Sequence, residues 1–550
     1  MTEAREVQSA KPGRPQPPPT SVKETVISLL IAFTIALIFR GIVLEPFQIP
    51  TGSMAPTLLG AHVRIRDRDT GYEWPISPSE FVDGNMENAA PRQKVATARE
   101  PNTDRLLAPF TKDSSSGDRI FVLKYDYPYG TLARWDVVVF RNPTNPQVYY
   151  IKRLVGLDNE ELSIVDGDVF VRPFKADRKE TPEQCWEDPD WKIARKPRRA
   201  QDATWQLIFD STFEPANPVR DGKRWFSSPW LPQTENWTVN DTTVYKYTGS
   251  GPTSLNWNTK ERPINDLNHY NDTPQLNARR NSPVLRFPIS DLRVGFGVRP
   301  TAANAGTGMG ASATIRGNSH EFRGKIEGTR ASVEMRPLGD AGGAWKVLAS
   351  KDGVTPLGPE RVTNFEFRNV DQALRLLIDG KVVCEGLYEW TPAQRVEFAT
   401  GKPLEQMLSL KVRPVPLSVP SNYTQPEVSI EVSGAAELHR VRMDRDLFYQ
   451  PVQHVMPQWR DVPCRGSHPT TLAIQRANEF FMMGDNSPAS LDGRLWGEND
   501  PWVSKLIDAH EGVVPRDLIV GKAFCVFFPA LTRKWGMIPI PDFGNVRWIW

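Results

Sequence analysis

The chain has 550 residues with 67 basic and 65 acidic side chains, a formal net charge of +2. That near balance excludes the basic footprint of a nucleic-acid binder, and the length is enough for about two or three domains. With 49 prolines, 17 tryptophans and little helical periodicity, the composition favours an all-β protein rich in turns.

Residues 1–21 include Lys11-Pro-Gly-Arg-Pro-Gln-Pro-Pro-Pro-Thr20 and read as a disordered tail, having nothing to bury. From Thr25 to Phe39 run 15 uncharged, mostly apolar residues; Arg40 interrupts and Gly41–Leu44 follow. A buried core helix and a cleaved leader both compete for this stretch, but no small-x-small cleavage site follows Phe39. The expectation is a membrane anchor over 22–44, with Arg40 snorkelling to the interface. Arg5, Lys11, Arg14 and Lys23 on one side and Arg40, Arg64, Arg66 and Arg68 on the other give only a slight lean toward a cytoplasmic N-terminus.

Next comes Gln48-Ile-Pro-Thr-Gly-Ser-Met-Ala-Pro-Thr57, where Gly52 and Ser53 between prolines describe a tight loop that leaves a serine Oγ exposed and a backbone N–H free. Residues 61–116 show no usable periodicity and read as an inserted loop region. Strand alternation begins at Gly117-Asp-Arg-Ile-Phe-Val-Leu-Lys-Tyr125, continues in Arg134–Phe140 and Val148–Val155, and returns as a hairpin around Asp166-Gly167.

From 172 to 475 the character changes. After a charged, proline-spotted run (172–199), residues 200–447 carry repeated period-two segments: Leu292–Val298, a hairpin at Asp379-Gly380, Leu408–Val412 and Val428–Val432. Strands at this spacing suggest a β-sandwich. The run Val362–Lys381 resembles a concanavalin or laminin-G jelly roll. Cys185, Cys384, Cys464 and Cys525 stand far apart without metal-site spacing, which predicts isolated buried thiols and no structural zinc.

Four stretches taken together resemble type I signal peptidase, the bacterial leader peptidase family. They are Thr51-Gly-Ser-Met-Ala-Pro-Thr57, Gly117–Lys124 with Trp135-Asp-Val-Val-Val-Phe140, Tyr150-Ile-Lys-Arg-Leu-Val-Gly156, and Gly484-Asp-Asn with Ser490-Leu-Asp-Gly-Arg494. The resemblance implies one antiparallel β catalytic unit over 45–171 and 476–550, split by the 172–475 insertion. It implies Ser53 as nucleophile, Lys152 as general base, and an oxyanion hole formed by the Ser53 N–H and the Thr51 hydroxyl. Ser490 would orient the amine, Asp492 and Arg494 would pair beneath the site, and Gly484-Asp485-Asn486 would shape the turn there. Met54 would line small substrate pockets, and Arg153 would pack or pair. Where the family pattern has Gly before Asp136 this chain has Trp135, and Leu157-Asp-Asn-Glu160 and Gly493 are further departures.

Chemistry explains the residue types. Serine needs a group to take its proton, and a lysine serves once burial removes its charge. Lys152 lies in a run of aromatic and β-branched neighbours, the setting this requires. The seven histidines fall outside the four stretches, against a histidine triad. The family implies exported preproteins as substrates, membrane lipids as surroundings, no cofactor, no metal, and a location at the outer face of the bacterial cytoplasmic membrane. Two other readings stay open: a self-cleaving Ser/Lys protease, and a tethered binding protein whose sandwich does the work over an inert core.

Overall fold

The computed structural model describes residues 22–76, 94–96, 98–107, 110–112, 115–124, 132–215, 219–220, 223–224, 228–240, 242–272, 285–301, 309–339, 343–452, 462–507, 509–534, 538–541 and 543–549. The tail expected over 1–21 lies outside them.

A helix, α1, spans Val22–Ile42. Its uncharged run stops after 15 residues, bounded by Glu24 and Arg40, short of the about 20 that a bilayer needs. Among the described residues no helix is long and apolar enough to cross a membrane, which corrects the expected transmembrane helix. Val26, Leu29, Leu30, Phe33, Ile35 and Ile38 are nonetheless exposed.

Seven strands in sequence across a sheet position the site: β1 (Leu44–Gln48), β2 (Arg119–Leu123), β3 (Val137–Asn142), β4 (Asn145–Gly156), β5 (Glu479–Met483), β6 (Val514–Pro515) and β7 (Ile519–Phe528). Their spatial order is β1-β2-β7-β3-β4-β5-β6, all neighbours antiparallel, with Arg547–Trp548 also pairing β7. Strands from before and after the insertion thus interleave, with β7 between β2 and β3, and neither half makes this sheet alone.

Alternation along β3 feeds two cores. Val137 and Val139 join Ile49, Met54, Leu58, Ile120 and Val122 on one side; Val138 and Phe140 join Leu154, Phe480, Met482 and Trp496 on the other. The long β4 is half-exposed while it pairs only with β3. It becomes wholly buried from Ile151, where β5 closes its second edge at Arg153–Gly156.

The insertion holds two antiparallel sheets face to face. One orders Trp237–Thr238, Val244–Tyr247, Ala436–Arg445, Leu292–Pro300, Thr363–Val370, Ala373–Ile378 and Lys381–Leu387, with Gln206–Asp210 also on Ala436–Arg445. The other orders Trp230–Pro232, Thr253–Trp257, Glu427–Val432, Gly310–Gly317, His320–Glu327, Arg330–Pro337 and Lys346–Lys351. Their inner faces share one apolar core that includes Trp230, Phe296, Ile315, Phe322, Phe367 and Ile430.

Two expectations need correction, and one unassigned stretch gains structure. Leu408–Val412 is no strand: a short helix, Leu404–Met407, leads into a turn, and Leu408 is buried beside Met407 and Leu417. Residues 61–116 are not featureless. Val63–Arg66 pairs with Glu73–Ile76, and Val63, Ile65, Trp74 and Ile76 build a small core. The charged run 172–199 contains a helix, Pro182–Glu187, started by a capping box between Thr181 and Gln184. All four cysteines are free thiols, three of them buried.

Candidate active site

Ser53 sits in a one-turn 3-10 segment, Gly52–Met54, entered from extended Thr51. Asp118, at the start of β2, pins this loop from below. Its backbone N–H donates to Leu59 O (2.8 Å), its carbonyl accepts from Ile49 N (2.8 Å), and its carboxylate accepts from Leu59 N (3.1 Å) and Arg547 (3.0 Å). The sequence displayed Asp118 without revealing that role.

Lys152 lies opposite Val138 on the wholly buried half of β4. Its Nζ is 2.6 Å from Ser53 Oγ, and 5.3 Å from the Tyr150 ring centre. Lys152 is 4% exposed and Ser53 7%. Burial pushes the amine down to about 8, against the pull of Asp492 and Asp485, which favour its charge; Arg494 adds to the depression. Thr51 Oγ1 donates toward Ser53 Oγ at 3.4 Å, placing the hydroxyl beside the Ser53 oxygen.

The turn after β5 carries the supporting groups. Ser490 is fully buried, and its Oγ would lie 2.2 Å from a Cβ added at Gly484; Ser53 O would lie 2.5 Å from the same atom. Gly484 is therefore the close-approach point between nucleophile loop and lysine pocket. Its N–H donates to Asp492 Oδ2 (2.9 Å), and Arg494 grips Asp492 through Nε (2.9 Å) and Nη2 (2.8 Å). Burial raises the Asp492 pKa, but the Arg494 guanidinium overrides it and holds the carboxyl below its ordinary range. Arg153 pairs with Asp485 through two bonds, 2.7 and 2.6 Å, both residues being buried. Asn486 binds the loop twice: its N–H donates to Ser53 O (3.0 Å) and its Nδ2 to Gly52 O (2.9 Å).

Met54 closes the same short segment as Ser53. Its side chain is fully buried in the apolar core with Ile120 and Val122 instead of facing open space. Trp135 holds φ +77°, the left-handed region in which glycine is at ease, at the position where the family pattern has glycine. Its carbonyl accepts from Arg153 Nη1 (2.7 Å) and its indole N–H donates to Arg195 O (3.1 Å) of the insertion, with Lys196 over the ring. Packing of a large buried side chain outweighs the backbone cost. The histidines bond elsewhere: His62 with Gly60 O, His269 with Tyr72, His468 with Thr470 and Leu408. His454 lies outside the described residues.

A buried amine against a serine hydroxyl, with donors beside it, suits acyl transfer. The family described as signal peptidase, peptidase S26, matches residues 109–225 and 453–528. Those segments hold Lys152 and the Gly484–Arg494 turn. Over these segments the chain is similar to type I signal peptidase. Signal peptidase I of Rickettsia typhi is 28% identical over 171 residues, 30% of this chain and 50% of that protein. For the Rickettsia conorii enzyme the identity is 28% over 155 residues, 28% of this chain and 44% of that one. The chain spans about half the length of the signal peptidases it matches. Among solved structures, the carbohydrate binding module CBM66 of Bacillus subtilis covers 39% of this chain and 95% of its own at 10% identity and TM-score 0.22. A galectin of Caenorhabditis elegans covers 30% and 87% at 13% identity and TM-score 0.17.

Proposed function

We propose that this protein is a serine endopeptidase that removes N-terminal signal peptides from exported preproteins, working at the outer face of the bacterial cytoplasmic membrane. The observation that carries this reading is the 2.6 Å contact between Ser53 Oγ and the buried Lys152 Nζ.

In this reading the neutral amine takes the Oγ proton as Ser53 attacks the scissile carbonyl. The oxyanion accepts from the Ser53 N–H and the Thr51 hydroxyl. The resulting ammonium returns its proton to the departing amine, leaving an acyl-enzyme. A water, deprotonated by the same amine, then attacks the ester and releases Ser53. The Asp492–Arg494 and Asp485–Arg153 pairs hold the pocket, and Ser490 orients the amine. The apolar side chains that α1 leaves exposed support association with lipid, which concentrates the enzyme beside emerging substrates.

Membranes carrying the full chain should cut a model preprotein after its Ala-x-Ala end, and Ser53→Ala should abolish the cut while leaving the amount of membrane-bound protein unchanged. Cleavage by the alanine variant would remove Ser53 from the mechanism.

A further inference from the structure

The insertion reaches the nucleophile loop. Asn271 Nδ2 donates to Asn486 Oδ1 at 2.8 Å, and the Tyr270 hydroxyl lies 2.9 Å from where a Cβ on Gly52 would stand. Tyr270 is buried with Ala55 and Leu59 of the same loop. Both residues sit on a segment fixed by the sandwich and, through His269, by Tyr72 of the 61–116 region. Asn268 O accepts from Arg445 (3.0 Å), Asp266 exchanges bonds with the Phe287 backbone (3.0 and 2.8 Å), Asp272 pairs with Arg286 (3.2 Å), and His269 meets Tyr72 (2.8 Å). Asn271 and Tyr270 lie outside the segments 109–225 and 453–528 that match the signal peptidase family, whereas Asn486 lies inside the second.

The chain of bonds has a definite end point. A carboxamide offers an oxygen on one side and an NH2 on the other. By donating to Asn486 Oδ1, Asn271 makes the other edge, Nδ2, face Gly52 O. That carbonyl and the Ser53 N–H belong to one planar trans peptide, so holding the first aims the second in the opposite direction. The Ser53 N–H is the oxyanion donor in the reading above. We propose that Asn271, carried by the insertion, is a positioning residue that orients the Gly52–Ser53 peptide and so presets the oxyanion hole, with Tyr270 packing the loop in place. The inserted sandwich is then a working part of the peptidase. This rests on Ser53 being the nucleophile.

The test compares full-length wild type, Asn271→Ala, Asn271→Asp, Asn486→Ala and the Asn271→Ala/Asn486→Ala pair. Asn271→Asp keeps shape but removes the donor, and it guards against loss through a packing defect alone. With an Ala-x-Ala peptide, kcat should fall about tenfold to a hundredfold for either Asn271 variant at nearly constant KM. The double variant should be no worse than Asn486→Ala, because both act on one carbonyl. Affinity for a C-terminal peptide aldehyde, which forms a tetrahedral adduct on serine, should fall by the same factor as kcat/KM, and the pH midpoint of activity should stay where it is. A merely structural role would not move aldehyde affinity and kcat together at fixed pH midpoint. An unchanged kcat, or a loss carried wholly by KM, overturns the proposal. Amide hydrogen exchange at Gly52–Met54 gives a readout independent of activity: it should quicken in Asn271→Asp, and unchanged exchange also overturns the proposal. A wild type that leaves the peptide uncut but shows that quickening overturns the functional reading instead, so the two failures are distinguishable.

Discussion

If the proposed function holds, raising the pH from 6 to 10 should switch activity on through one group. With Lys152 held at about 8, about 9% of the amine is neutral at pH 7, and about 1% at pH 6. An ordinary lysine near 10.5 would be neutral in only about 0.03% of molecules at pH 7, so burial multiplies the competent form roughly 300-fold. The expected profile of kcat/KM for an Ala-x-Ala peptide rises about tenfold per pH unit below 8 and levels above it. Carboxylates near the amine sharpen the test. Asp492 and Asp485 both favour its charge, so neutralising Asp485 as Asp485→Asn should move the midpoint down. A midpoint near 10, or one near 6.5 as for a free imidazole, would refute the claim that a desolvated lysine is the base.

Lys152→Met should be inactive yet more resistant to heat at pH 7. The folded-state pKa lies below the unfolded one, so the burial cost is fully present below pH 8 and vanishes as pH rises past 10.5. A shift of that size corresponds to about 3 kcal/mol of relief at pH 7, read as a rise in the thermal midpoint that shrinks toward pH 11. Gly484→Ala should cut activity at least about a hundredfold, since the new methyl would meet Ser490 Oγ at 2.2 Å and Ser53 O at 2.5 Å; near-normal kcat would show that the loop yields freely. Trp135→Gly relieves a strained φ, worth about 1–2 kcal/mol, but empties a buried site and breaks the bond to Arg195 O, at a cost of about 3–5 kcal/mol. A net loss is expected in thermal unfolding; a gain would mean the indole contributes little.

The residues of the site were legible because their chemistry demands particular types at particular places: a serine in a tight loop, a lysine among aromatic and β-branched neighbours, and an Asp-x-Arg pair. The partners were not. Asn271 and Tyr270 lie more than two hundred residues from Ser53 in sequence, and nothing local marks a tyrosine as the neighbour of a distant glycine. Trp135 shows the converse, because the left-handed backbone that favours glycine there is occupied by the residue least like it. Two short helices carry start signals in the sequence. Thr181-Pro-Glu-Gln184 and Thr391-Pro-Ala-Gln394 are both capping boxes with proline at the first turn, and both start short helices. Their apolar faces are too short to stand out by periodicity. Leu408–Val412 misled in the opposite sense, since alternation over five residues also fits a helix end and a turn.

The interleaving of strands has a bearing on when the proposed active site can first form. Lys152 is made long before β5 and the Gly484–Arg494 turn, which seal it from water. Until about three hundred further residues have been synthesised and folded, the amine stands in solvent with its normal charge, unable to accept a proton. On the proposed function, an emerging chain therefore carries its own delay, and truncation anywhere inside the sandwich should yield an inactive fragment.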